Sequence, residues 1–82
     1  MPNTLVIIPT YNEEKNIIKL VDQLFSLGLR LDILVVDDGK DNTANLIKQR
    51  QVTVPNLFLI QRTGKLGRGS AVLEGLRFGL KR

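Results

Sequence analysis

The chain has 82 residues, of which 43% are apolar and 24% charged, with a formal net charge of +4 and neither cysteine nor histidine. That length allows one domain or part of one, and that balance is globular rather than disordered. Disulfide scaffolds, cysteine zinc sites, imidazole metal ligands and Ser-His-Asp catalysis are excluded outright.

Leu5-Val6-Ile7-Ile8 is a short apolar run stopped by Pro9 and predicts a buried strand. From Glu13 to Leu27 the period changes: Ile17, Leu20, Val21, Leu24 and Phe25 recur at threes and fours, which predicts a helix with one apolar face. Asn12 is placed to cap it, Glu13 and Glu14 suit its positive end, and Gly28 closes it. Ile33-Leu34-Val35-Val36 is a second buried strand, ended by Asp37-Asp38-Gly39. A weaker helix runs from Thr43 to Gln51. After the turn at Pro55-Asn56, Leu57-Phe58-Leu59-Ile60 is a third strand. A loop with Gly64, Gly67 and Gly69 leads to a last helix from Ser70 to Lys81. It presents Val72, Leu73, Leu76 and Leu80, with Gly75 and Gly79 as weak points.

Strands that are apolar on both faces and alternate with helices predict an α/β fold: a parallel sheet covered on both sides, with right-handed crossovers. No repeat, low-complexity segment or linker divides the chain. No apolar run approaches the ~18 residues of a membrane span, and Met1-Pro2-Asn3-Thr4 does not open a signal peptide. A cytoplasmic setting is therefore expected.

Charge is uneven along the chain. Residues 1–41 hold four basic and seven acidic side chains, net −3, and residues 42–82 hold eight and one, net +7. The basic half points to an anionic partner or to a solvated basic face. Nucleic acid is not expected, because Tyr11, Phe25, Phe58 and Phe78 are too few and scattered to stack bases.

Ligands of open parallel sheets bind at the carboxyl ends of the strands. Three polar loops leave those ends: Pro9 to Glu13, Asp37 to Thr43, and Gln61 to Ser70. Pro9 and Asn12 read alone as a strand stop and a cap. Tyr11, the only tyrosine, can offer a flat ring to a base, and Glu13 can accept a ribose hydroxyl or offset the helix dipole. Asp37-Asp38-Gly39 reads as an Asx-type turn or as an acidic ribose site. Two adjacent carboxylates also need a cation or hydrogen-bond donors beside them. The segment Gly64-Lys65-Leu66-Gly67-Arg68-Gly69-Ser70 is neither a Walker A loop nor a Rossmann fingerprint. It is an anion cradle at a helix start or a plain surface loop.

Val6-Ile7-Ile8-Pro9-Thr10-Tyr11-Asn12-Glu13-Glu14, Val35-Val36-Asp37-Asp38-Gly39 and Arg62-Thr63-Gly64-Lys65-Leu66-Gly67-Arg68-Gly69-Ser70-Ala71 together resemble the start of a family 2 glycosyltransferase of the GT-A fold. The third stretch is similar to that of the dolichyl- or polyprenyl-phosphate mannosyltransferases. The resemblance runs over nearly the whole chain. It implies a three-layer α/β/α arrangement, the nucleotide-binding half of a GT-A domain.

By the same resemblance, Pro9, Tyr11 and Glu13 match positions that hold base and ribose, and Asn12 belongs to the same motif. Val36 and Asp38 match positions that contact the nucleoside, and Lys65 lies where the third loop approaches the sugar nucleotide. The implied reaction moves mannose from GDP-mannose to a polyprenyl or dolichyl monophosphate with inversion, at the cytoplasmic face of a membrane. UDP-glucose is the alternative donor, and a non-catalytic nucleotide- or protein-binding module the alternative function. A receiver-type signalling domain fits poorly, since its acidic pair would follow the first strand.

Two departures stand out. Lys40 replaces the family's usual serine, and the turn to Asp41-Asn42-Thr43 is one residue shorter. The family's Asp-x-Asp motif, which holds a divalent metal (Mg²⁺ or Mn²⁺) and the donor diphosphate, has no counterpart among Asp22, Asp32, Asp37, Asp38 and Asp41. Residues 1–82 are thus expected to be the nucleotide-binding part of a longer domain, with no catalytic residue or metal ligand of their own. An unpaired sheet edge is expected to promote self-association.

Overall fold

The computed structural model describes residues 4–62 and 68–80, apart from the side chains of 68–72 and 74. The elements are β1 (Thr4–Thr10), α1 (Ile17–Phe25), β2 (Leu31–Asp37), α2 (Thr43–Gln51), β3 (Leu57–Gln61) and α3 (Arg68–Leu80). The three strands are parallel in the order β1-β2-β3. Thr10, Asp37 and Gln61 lie side by side at the carboxyl edge.

Central β2 is buried along its whole length, whereas β1 and β3 are mostly half-buried. Alternation sends Ile33 and Val35 to one face, with Val6, Ile8 and Leu59, against Ile17 and Val21 of α1 and Ile47 of α2. Leu34 and Val36 point to the other face, with Leu5, Ile7, Phe58 and Ile60, and meet Phe78 of α3. Phe58 and Phe78 pack with ring centroids 5.3 Å apart at 53°. The result is the expected α/β/α sandwich, with α1 and α2 on one face and α3 on the other.

The structure departs from the sequence reading at Pro9, at both ends of the first helix and along the last one; α1 ends at Phe25 with Ser26 as its cap, so Gly28 does not close it. Pro9 does not end β1: it pairs in register with Val36. The Thr10 carbonyl accepts the Asp38 N–H at 3.0 Å, so the alternate residue Pro9 turns its nitrogen away from β2, where the missing N–H breaks no ladder bond.

The first helix begins at Ile17, not Glu13, and has no acidic residue in its first turn. Asn12 is not its cap. Asn16 holds that position without a side-chain cap bond, and Asn12 adopts a left-handed φ of 58°. The Glu13 and Glu14 N–H groups are instead donated to the β2–α2 loop, which anchors the start of α1 by tertiary bonds.

The third correction concerns α3. Leu73, Leu76 and Leu80 do not face the sheet and are 60%, 52% and 85% exposed. Gly75 and Gly79 face it instead. A Cβ on Gly75 would lie 2.6 Å from Ile7 Cγ2, and one on Gly79 would lie 3.1 Å from Leu5 Cδ2. With Phe78, which packs on Phe58, the glycines make the described contact of α3 with the sheet and let the helix lie close on β1, while the Val72 side chain lies outside the described residues.

Candidate functional site

The carboxyl edge of the sheet brings the first two polar loops together with the residue that follows β3. At its centre are the adjacent carboxylates, which alternation sends to opposite faces. Asp37 is fully buried; its Oδ1 accepts the Thr10 hydroxyl at 2.7 Å and the Gly39 N–H at 3.3 Å. Its Oδ2 is buried with no hydrogen-bond partner among the described residues.

Asp38 is 7% exposed and is gripped by Arg62: Nε donates to Oδ1 and Nη2 to Oδ2, each at 2.6 Å. The cation demanded by two neighbouring carboxylates is therefore Arg62. Sequence reasoning gave Arg62 no role. The signal lay in the register: Asp37 stands opposite Gln61, so the next residue of each strand meets the other.

A second layer of bonds joins the two loops. Asn12 Oδ1 accepts the N–H of Lys40 at 3.0 Å and of Asp41 at 3.3 Å. The Glu13 N–H donates to Thr43 Oγ1 at 3.0 Å, and the Glu14 N–H to Asp41 Oδ2 at 3.1 Å. Asp41 Oδ1 accepts both the hydroxyl and the N–H of Thr43, at 2.6 and 3.0 Å. Partial burial pulls the Asp41 pKa upward. The Thr43 hydroxyl, the Thr43 and Glu14 N–H groups and its own N–H outweigh that pull and hold it below the usual aspartate value.

The expected site residues fare differently. Tyr11 is 46% exposed at the sheet edge, next to the Asp38 loop. Pro9 and Glu13 line a cleft of about 220 Å³ between β1 and α1, with Ile8, Ile17 and Leu20 as apolar walls. Asn12 ties the loops together. Asp38 is present but committed to Arg62. The Val36 side chain is fully buried in the core under α3, which leaves its backbone for any contact with a ligand. Lys65 lies outside the described residues, as do Gly64 and Gly67. A larger groove of about 430 Å³ runs between α1 and α2, away from the strand ends, and none of the candidate residues lines it.

These loops carry the motifs by which the chain can be compared with known proteins. Residues 5–79 match the family model described as glycosyl transferase family 2. The chain belongs to glycosyl transferase family 2. Among its relatives in that family is the polyprenol monophosphomannose synthase of Mycolicibacterium smegmatis, 42% identical over 81 residues. These cover 96% of this chain and 31% of the relative. The undecaprenyl-phosphate mannosyltransferase of Micrococcus luteus is 38% identical over 79 residues, covering 95% and 32%. A dolichyl-phosphate beta-glucosyltransferase of Trichomonas vaginalis is 29% identical over 80 residues, covering 85% and 25%. The chain thus spans about a third of the length of the first of these relatives. Among the described residues, no helix is long and apolar enough to cross a membrane.

Proposed function

We propose that this chain is the sugar-nucleotide-binding portion of a family 2 glycosyltransferase that moves mannose from GDP-mannose to a polyprenyl or dolichyl monophosphate. The observation that carries the reading is the convergence, at the carboxyl edge of a parallel sheet, of the loop that bears exposed Tyr11 with the loop that bears Asp38, cross-linked by the Thr10–Asp38 and Asn12–Lys40 hydrogen bonds. The Asp38 and Arg62 side chains are both more than nine-tenths buried and bond to each other, so the pair fixes the floor of the site instead of reading a base. Tyr11 would stack on the base and Glu13 would accept a ribose hydroxyl. Pro9 and Asn12 would support them, and Lys65 would approach the diphosphate.

In the reaction, a phosphate oxygen of the acceptor attacks the anomeric carbon while that carbon's bond to the diphosphate breaks. GDP leaves and the configuration inverts. The phosphate nucleophile is already ionised at neutral pH, so no strong general base is needed and the lack of histidine is no obstacle. Mannose is favoured by the names of the two bacterial relatives. UDP-glucose is the second reading, favoured by the relatives named as glucosyltransferases.

A divalent ion, Mg²⁺ or Mn²⁺, belongs to this proposal through the Asp-x-Asp motif that residues 1–82 lack. The described residues do not fit one. Asp38 is held by Arg62, Asp41 by Thr43 and Glu14, and no group of three acidic side chains converges. The acceptor places the complete enzyme at a membrane surface, with the cytoplasmic face proposed. Self-association through the outer edge of β1 is proposed as well.

The test is calorimetric titration of the chain with GDP, GDP-mannose, UDP-glucose and ATP, with and without Mn²⁺. Metal-independent binding of GDP, absent for ATP and lost in Tyr11→Ala, supports the proposal. Equal binding of ATP, or no binding of any nucleotide at millimolar concentration, refutes it for this chain.

A further inference from the structure

Asn12 has a left-handed backbone, φ 58°, the only positive φ at a non-glycine among the described residues. Few side chains accept that conformation, and asparagine is one of them. Its Oδ1 accepts two N–H groups from the neighbouring loop, those of Lys40 and Asp41. Two residues earlier, the Thr10 carbonyl accepts the Asp38 N–H. These cross-links bracket Tyr11 on one loop and Gly39 on the other. The loops touch between them: a Cβ on Gly39 would fall 2.5 Å from the Asn12 nitrogen and 2.6 Å from its Oδ1. The entry to α1 does not need these bonds, because Thr43 and Asp41 already accept the N–H groups of Glu13 and Glu14.

We infer that Asn12 is a positioning residue, whose left-handed backbone and two accepted hydrogen bonds hold Tyr11 and Asp38 at one fixed separation. The inference rests on the nucleotide-binding reading above and adds to it a residue that touches no ligand. A nucleotide then meets a preformed edge instead of two independent loops, and the ordering cost is met on folding rather than on binding. An uncommon backbone conformation persists where its surroundings over-determine it, as the double acceptor and the Gly39 contact do here.

Two substitutions separate the contributions. Asn12→Gly keeps access to the left-handed conformation and removes the acceptor. Asn12→Asp keeps both. The parent chain and each variant are titrated with GDP and with UDP, and each is melted. Asn12→Gly should keep a single cooperative melt, lowered by a few degrees at most, yet bind about tenfold more weakly, because the two loops must then be ordered on binding. Asn12→Asp should restore most of that loss. Parent-like affinity in Asn12→Gly overturns the inference.

If the parent binds neither nucleotide, the nucleotide reading has failed on its own terms, and amide hydrogen exchange then decides the positioning role. Faster exchange at Asp38 and Lys40 in Asn12→Gly, with Leu34 and Val35 unchanged, supports it. Unchanged exchange at Asp38 and Lys40 overturns it.

Discussion

Asp38 and Arg62 leave only 8% and 6% of their side chains exposed, so neither charge keeps much of its hydration. Removing one partner of such a pair strands the other and costs about 3–5 kcal/mol, while replacing both by apolar groups is often close to neutral. Against a total of about 5–15 kcal/mol for a small domain, either single loss is severe. Asp38→Ala and Arg62→Met should each lower the urea midpoint sharply. The double variant Asp38→Leu/Arg62→Met should recover most of the loss. Single-variant costs below about 1 kcal/mol, the scale of an exposed pair, would show that water reaches these charges. The same energetics make Asp38→Ala a poor probe of ligand binding, because fold and site would fail together. Exposed Tyr11 is the cleaner choice. The sequence required a cation or hydrogen-bond donors beside the two carboxylates but did not say which, because Arg62 is 24 residues away and arrives only through the register of β2 with β3.

At the scale of elements, α3 shows how glycine in a helix can be misread. By propensity, Gly75→Ala and Gly79→Ala should each stabilise α3 by about 1 kcal/mol. The contacts separate the two. At Gly75 the new methyl would lie 2.6, 2.7 and 2.9 Å from three carbons of Ile7, a β-branched side chain with little room to turn. Overpacking of that kind costs about 1–3 kcal/mol. At Gly79 the one close atom is the end of a leucine, at 3.1 Å. Gly75→Ala should therefore destabilise and Gly79→Ala should be neutral or stabilising. Ile7→Val should relieve part of the Gly75→Ala penalty. Thermal melts of the three variants check this, and equal gains at both glycines would mean that α3 does not press on β1.

The apolar runs at Leu5–Ile8, Ile33–Val36 and Leu57–Ile60 placed all three strands, because a four-residue apolar run between breakers marks a strand, although only β2 proves buried throughout. The inward face of α3 was not legible. Three leucines at helical spacing outrank two glycines in any hydrophobicity argument, and only the approach of β1 reverses that order. The start of α1 was hidden for a similar reason, since the N–H groups of Glu13 and Glu14, ahead of the helix, bond to Thr43 and Asp41, some thirty residues on.

For the whole molecule, the outer edge of β1 carries the prediction for behaviour in solution. Among the described residues β1 pairs with β2 alone, and Thr4–Thr10 carries no charge to discourage another strand. Its Leu5 to Ile8 are only half-buried, and Leu73, Leu76 and Leu80 form a further exposed ridge along α3. Sedimentation velocity at tens of micromolar should therefore show a dimer or larger species that dissociates on dilution. Leu73→Lys/Leu76→Lys should shift the equilibrium toward monomer at little cost to folding, since both leucines are already more than half exposed. A single monomeric species at all concentrations, with a cooperative melt at high temperature, would contradict this. Salt separates the two forces that could hold such an assembly. The segment from residue 42 onward carries +7 and the first half −3, so contact between opposite halves would weaken as salt screens it. Contact through β1 and the leucine ridge would instead hold or strengthen, because salt screens the repulsion between two net-positive chains and leaves apolar burial in place.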